Sequence, residues 1–428
     1  MTFFDLLKRI PEILKSPDSL PVEGKKLVLD FVTWLGSLVG ITVPEWFLTL
    51  VSIFIIIVAI IAVFMVMFAL MSVFERKIIA RIQNRYGPNR AGWFGILQPV
   101  ADGIKMLTKE DLVPAGADKV VHFLAPIMMV APALILPVIL PFGRGMVPIE
   151  LQSGILFFFA AGAGTELAVF MAGWSSNNKY SVMGAMRAIA QMISYELPLV
   201  MSAVVVALVA GTLSPNQIVE AQGGYSFGVI PNWYVLTPWG FVACLLFYIG
   251  ALAESNRSPF DLPEGESELV AGHLTEYSGF KYAIFFMAEY VGMFAINGML
   301  VTLFLGGYQS PLPFLDWIPS WCWFFGKLAA VAFSMVWVRA TLPRFRIDQM
   351  MQFAWKFMIP MSFAALLAAA AWFYAKQGLT QAGFNPLTVT ATAWALSAAI
   401  VGLPYLVLGH FCFTRHHTAD NRRYLYSE

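Results

Sequence analysis

Charge is scarce in this sequence: Asp, Glu, Lys and Arg make up 12% of 428 residues, while 59% are hydrophobic. A soluble domain of this length needs about a quarter of its residues charged, so an ordinary water-facing surface is excluded. The net charge of +1 removes the footprint expected of a nucleic-acid binder or of a protein for acidic substrates. Cysteine is nearly absent. Cys244, Cys322 and Cys412 lie far apart with no CxxC spacing, so the chain offers no ligand set of its own for an iron–sulfur cluster or a zinc ion. No metal site is expected. The five histidines form no HExxH, no GxxxxGK[ST] occurs, and no GxGxxG follows a strand pattern. Redox or nucleotide chemistry must then belong to other chains. The first twenty residues lack the continuous apolar core of a signal peptide, since Asp5, Lys8, Arg9, Glu12 and Lys15 interrupt them.

What is abundant is membrane-length apolar sequence. Residues 47–74 are uncharged and long enough to cross roughly 30 Å of hydrocarbon with tilt. Further spans are expected near 120–142, 151–174, 192–212, 236–255, 283–306, 321–340, 354–375 and 388–412. The fold class is therefore all-α, a polytopic membrane helix bundle. Residues 1–45 read as an amphipathic, Pro-punctuated extension, with an interfacial helix at 27–43. Residues 46–376 form the membrane domain, and 377–428 add a span and a tail.

The loops set the orientation. The loop between the first two spans carries Arg76, Lys77, Arg81, Arg85, Arg90, Lys105, Lys109 and Lys119, and later loops on that face add eight more cations. The opposite loops hold only Arg144, Lys327 and Lys376. The positive-inside rule puts the charged odd-numbered loops in the cytoplasm. The basic residues of the extension count against this assignment and are outvoted.

Two charged loops then share one face. The first turns at Tyr86-Gly87-Pro88-Asn89 and resumes as an amphipathic helix with Ile96, Val100, Ile104 and Leu107 on one stripe. It is either a positive-inside connector with an interfacial anchor or part of a functional mouth. Its length, and the carboxylates Glu75 and Asp102 among its cations, favour the mouth. The stretch from Glu254 to Glu289 holds seven carboxylates (Glu254, Asp261, Glu264, Glu266, Glu268, Glu276 and Glu289) against Arg257 and Lys281. It reads either as a solvated connector or, because Pro259, Phe260, Leu262 and Leu269 interleave the acids, as a surface packed on something else.

Glu166, Glu196, Glu254 and Glu289 fall within or at the ends of spans, where an ionised side chain costs roughly 2.5–3.5 kcal/mol on insertion scales. A single such Glu is often a protonated donor in a helix interface. Several, with Gln191, Ser194, Tyr195 and Tyr290 nearby, fit a proton-accessible chain, and Pro198 would loosen the helix beside Glu196.

The blocks ERKIIARIQNRYGPNRAGWFGILQPVADGIKMLTKED, GWSSNNKYSVMGAMRAIAQMISYELPL, AESNRSPFDLPEGESELVAGHLTEYSG and WVRATLPRFRIDQMM resemble signature blocks of one family. It is the quinone-site membrane subunit of respiratory complex I, called 1 in mitochondria and H in bacteria. The similarity runs from about Phe47 to Tyr374. It implies an eight-helix core, with the ninth span and the N-terminal extension as departures from the family. It also implies a subunit of a proton-translocating NADH:quinone oxidoreductase in the bacterial inner membrane, with quinone as substrate. Iron–sulfur clusters and flavin would reside in partner subunits. By the match, Glu75, Arg76, Arg85 and Asp102 would line or support a quinone chamber. Asp261, Glu264, Glu266, Glu268 and Glu276 would form an acidic loop that responds to quinone reduction. Glu196, Glu254 and Glu289, with Glu166, would begin a carboxylate path. Expected partners are the peripheral-arm subunits, antiporter-like and small membrane subunits, and membrane lipid. Rival readings are a subunit of a membrane-bound hydrogenase or formate hydrogenlyase, a free-standing cation/proton antiporter, and a structural anchor. Which quinone is used is not legible.

Overall fold

The computed structural model of the chain describes residues 44–226, 230–261, 270–382, 384 and 386–419, together with 26, 29, 30 and 33. The interfacial helix expected at 27–43 falls almost wholly outside the described residues. So do Glu264, Glu266 and Glu268 and the tail from 420.

A helix stands at every position where a span was expected. They are α1 (Glu45–Ile82), α3 (Lys119–Ile135, continued by a 3₁₀ turn Leu136–Ile139), the consecutive α4 (Gly154–Gly162) and α5 (Gly164–Ser175), α6 (Lys179–Ala210) and α8 (Pro238–Glu254). There follow α9 (Gly279–Phe304), α10 (Ser320–Thr341), α11 (Ile347–Phe353) running through a π turn into α12 (Ile359–Gln381), and α13 (Pro386–Ala419). The helix α2 (Gln98–Thr108) is the expected amphipathic segment, and α7 (Pro215–Ala221) is a short connector. Eight of these units are long and apolar enough to cross a membrane, and α8 is a shorter apolar helix. Among the described residues the only sheet is a two-stranded antiparallel hairpin, Tyr225–Ser226 against Ile230–Pro231.

Burial ranks the helices. In its most apolar window α9 is 72% buried, whereas α1 is 11% buried and stands at the edge of the bundle. The core is built largely of small and aromatic side chains, with Trp239, Tyr195, Phe247, Phe285 and Phe304 fully enclosed. The expected span at 192–212 begins at Lys179, so α6 carries Arg187 on a helix rather than in a loop. Asn178 caps its start by accepting the Tyr180 N–H, and Gly211 ends it at φ 70°.

α1 has 38 residues, about 57 Å at 1.5 Å per residue, so its last turns extend past a bilayer core of about 30 Å. Those turns carry Glu75, Arg76, Lys77 and Arg81. The loop after them folds back tightly. Gly95 has φ 77°, and a Cβ there would lie 2.2 Å from the Pro88 carbonyl oxygen, so no other residue fits. Lys77 donates to the Phe94 carbonyl, tying this loop to α1. At the other end of the bundle Lys327 caps α9. Its ammonium donates to the carbonyls of Leu305, Gly307 and Gln309 at 2.7, 2.9 and 2.6 Å and lies over the Trp233 ring.

Candidate functional site

The last turns of α1 meet the starts and ends of three other helices around Glu75. This carboxylate is 4% exposed. Arg257, just past the end of α8, donates to its Oε1 at 2.6 Å. Tyr290 on α9 donates its hydroxyl to Oε2 at 2.6 Å, and Arg339 near the end of α10 donates to Oε1. The Arg257 guanidinium also lies 4.2 Å from the centre of the Tyr290 ring. Burial alone would lower the Arg257 pKa, but the Glu75 carboxylate beside it raises it, with Tyr290 and Glu289 adding to the effect. Arg257 is therefore a fixed cation. Two guanidiniums and one carboxylate leave this buried cluster with an excess positive charge, offset in part by Glu289 one residue before Tyr290.

A groove lies between two of the same helices, α1 and α10. It is lined by Phe74, Lys77, Ile78, Arg81, Phe333 and Trp337, with a volume of about 550 Å³. It is apolar in its body, and two residues along from Trp337 stands Arg339.

The second polar contact on this face is exposed. Arg76 pairs with Asp102 on α2 at 2.6 Å, Lys105 joins at 3.2 Å, and Gln98 donates at 3.4 Å. Partial burial pushes the Asp102 carboxyl up, but the bonds from Arg76 and Lys105 outweigh it and hold the group below the usual range. Arg85 bonds Gln83 instead. Glu75 and Asp102, grouped together from the sequence, thus sit in two separate clusters, one dry and one wet. The stripe Ile96, Val100, Ile104 and Leu107 is exposed along its whole length.

The two charged loops do meet. Lys281 pairs with Asp111 at 2.9 Å, and the Ser278 hydroxyl accepts the Leu112 N–H at 2.8 Å and donates to the Glu110 carbonyl. Glu276 accepts from Asn178 at 2.6 Å. Beneath it, the Tyr277 ring stacks on His122 with centroids 4.0 Å apart, and burial pushes the Tyr277 phenol up to about 12. The neighbouring His273 is fully enclosed, and burial pulls it down to about 4.

Deeper in the bundle three carboxyls gather. Glu166, in the first turn of α5, stands beside Glu196 on α6, and both lie within electrostatic reach of Glu254 at the end of α8. The break between α4 and α5 brings Gly162 against the group: a Cβ there would lie 3.8 Å from Oε1 of Glu254. Glu289 lies nearer the Glu75 cluster, through its effect on Arg257.

One side chain ties the two groups together. Gln191 is fully buried on α6, and its amide donates to the carbonyls of Ala253 and Phe260, each at 2.7 Å. These bonds clamp the turn 253–260, which carries Glu254 at one end and Arg257 in the middle. Asp261 follows immediately. Sequence reasoning named Gln191 only as a polar neighbour. Gln191→Leu removes both donors and leaves two buried carbonyls unpaired, at about 1–3 kcal/mol each. We expect the assembled protein to unfold thermally several degrees lower and to lose more than half its activity, measured by melting curves and turnover. Gln191→Glu, which keeps the shape but not the donors, should resemble it. Wild-type melting and turnover in both variants would remove the clamp from the account.

Among the described residues no His, Cys, Asp or Glu side chains group as metal ligands do. The residues that sequence reasoning passed over are Arg257, Arg339 and Tyr290 as partners of Glu75. The available signal was a Glu at the end of an uncharged span, which requires a countercharge, and two arginines at the ends of spans on the same face.

Comparison with known proteins bears on this arrangement. A family profile described as NADH dehydrogenase matches residues 55–370. The H subunit of the NADH-quinone oxidoreductase of Dehalococcoides mccartyi strain CBDB1 is 48% identical over 296 residues, covering 69% of this chain and 80% of the relative. The corresponding protein of Geobacillus kaustophilus is 47% identical over 305 residues, 70% of this chain and 88% of its own. That of Polaromonas naphthalenivorans is 42% identical over 351 residues, 80% of this chain and 96% of its own.

Proposed function

Because the chain belongs to the NADH dehydrogenase family, together with the H subunits of NADH-quinone oxidoreductases, we propose that it supplies the membrane wall of a quinone site and passes the charge change of quinone reduction to buried carboxyls. It is a membrane subunit of a multi-subunit enzyme and no catalyst alone, and its partners are other subunits of that complex. In the finer reading, peripheral-arm subunits holding a terminal iron–sulfur cluster dock on the face that carries Glu75, Asp102 and Glu276. That face is cytoplasmic, and the membrane is the bacterial inner membrane. Antiporter-like subunits lie beyond Glu166 and Glu196. We take residues 46–376 as the membrane domain, with 1–45 and 377–428 as additions.

The observation that carries this reading is that α1 and α10, which frame an apolar groove, also bring Glu75 and Arg339 into a net-positive cluster with Arg257. A lipid-borne quinone needs an apolar approach and, at the head group, cations that favour added electrons. Converting quinone to quinol takes two electrons and two protons. Electrons arriving before protons place negative charge near Arg257 and Arg339, weakening their hold on Glu75. That perturbation reaches Glu254 along the turn clamped by Gln191, and then Glu196 and Glu166. Glu264, Glu266 and Glu268 belong to the same proposal as the acidic loop, and Arg76, Arg85, Asp102, Asp261, Glu276 and Glu289 as its polar surround. The relatives' names favour quinone over the hydrogenase reading, and no observation favours a free-standing antiporter.

An azido-quinone bearing a short isoprenoid tail tests the site. Illumination of the assembled complex should label peptides holding Phe74–Ile82 and Phe333–Trp337, and excess quinone should abolish that labelling. Labelling confined to other subunits, or insensitive to competition, would remove the groove from the quinone path.

A further inference from the structure

At the end of the bundle opposite Glu75, a large cavity lies between α12, α13 and the strand Ile230–Pro231. Its volume is about 1160 Å³. The family match ends at residue 370, so one wall, α13, and the end of α12 come from sequence beyond it. The helices α12 and α13 pack on each other more extensively than any other pair. Around this opening their side chains nonetheless diverge and leave a space.

The lining has a polarity gradient. Trp233, Tyr234, Trp372 and Trp394 form an aromatic ring around it, and Val209 and Ala210 at the end of α6 form part of the apolar wall. Trp and Tyr collect where hydrocarbon gives way to headgroups, because one end of each ring system is apolar and the other can bond water. At the rim stands Lys376, exposed, with its ammonium 4.9 Å from the Trp372 ring centre. It is the one charged residue in the described lining. The sequence makes this firm: residues 221–253 contain no Asp, Glu, Lys or Arg, and Lys376 is the only one between 357 and 414. Among the described residues, the lining of the cavity therefore carries a cation and no anion.

We propose that this cavity holds one anionic phospholipid, its phosphodiester against Lys376 and an acyl chain running down between α12 and the end of α6, so that the lipid fastens α13 to the rest of the bundle. Pockets for compact ligands are about 300–1,000 Å³, and this one is larger, amphipathic and open toward the bilayer boundary. Those features suit a two-tailed amphiphile better than a polar metabolite. A lone ammonium beside an aromatic face selects a headgroup with net negative charge, since a zwitterionic one brings its own cation to the same place. Any tail-first hydrophobe without the phosphate would gain nothing from Lys376.

Photoreactive phosphatidylglycerol, with the diazirine near the headgroup, tests this on the assembled complex in nanodiscs. Phosphatidylcholine with the same chains serves as comparison. The expected result is labelling of peptides covering 221–237 and 372–394 by the anionic lipid, at least fivefold above the zwitterionic one. Lys376→Glu should cut it at least fivefold, and Ala391→Trp, which fills the cavity without changing charge, should do the same while the complex still assembles. Equal labelling by both lipids would overturn the headgroup assignment. Labelling unchanged in both variants would overturn the site. Should Ala391→Trp fail to assemble, Thr390→Phe, at a neighbouring lining position, gives the same reading.

Discussion

Glu75→Gln is expected to lower quinone reductase activity per assembled complex by more than a hundredfold. The carboxylate accepts from two guanidiniums and also from the Tyr290 hydroxyl. A neutral amide of the same shape can keep its oxygen where both arginines donate and turn its N–H₂ toward the Tyr290 hydroxyl, but the negative charge that balances two guanidiniums is gone. Removing one partner of a buried ion pair costs about 3–5 kcal/mol, and at 1.4 kcal/mol per decade that exceeds two orders of magnitude if the active arrangement bears the whole cost. Because the missing charge also releases Arg257, the turn 253–260 should loosen. Native gel or blot quantification of assembled complex separates instability from lost chemistry. The double variant Glu75→Gln/Arg339→Gln is the sharper measurement: with one cation removed, the imbalance shrinks, and activity should recover at least fivefold over Glu75→Gln alone. Turnover and assembly of Glu75→Gln near wild type would mean that the cluster is dispensable to the quinone site.

The spans were legible because hydrocarbon permits only helices, and long uncharged runs such as 47–74 have one structural solution. The early start of α6 was not legible, because hydropathy reads lipid-facing surface. The first turns of that helix are faced by protein instead: Ser181, Ala185, Ala188 and Gln191 are buried against neighbouring segments, and Lys179 and Arg187 dilute the apolar average. The Glu75 cluster was half legible. Its carboxylate stood out at the end of a span, but its partners lie 182, 215 and 264 residues away in sequence, and pairing at such separation is a property of the packed bundle. Arg257 and Arg339, read as orientation signals, are a buried and a half-buried partner of Glu75. Gln191 illustrates the converse. An uncharged polar residue on a mostly apolar helix carries no distinctive pattern, and its importance lies in which two carbonyls the fold presents to it. The gathering of Glu166, Glu196 and Glu254 followed from their presence in spans, since carboxyls that must avoid lipid all turn to the same interior.

Glu196→Gln should suppress proton pumping and quinone reduction together, each by more than tenfold, in sealed vesicles carrying the assembled complex. The side chain at 196 is within reach of both Glu166 and Glu254, so it is the middle member of the three. Glutamine preserves volume and keeps a group that can donate to Glu166. What it cannot do is release a proton at any accessible pH. A merely structural carboxyl would therefore tolerate the change, whereas a relay would be cut. Glu196→Asp, which keeps an exchangeable proton on a shorter arm, should fall between the wild type and Glu196→Gln. The two activities fall together only if proton movement is an obligatory step in turnover. Reduction continuing at full rate without pumping would limit the carboxyls to a side path. Full pumping in Glu196→Gln would show that the protons travel elsewhere, and the three carboxyls would then serve as a polar spacer between α5, α6 and α8.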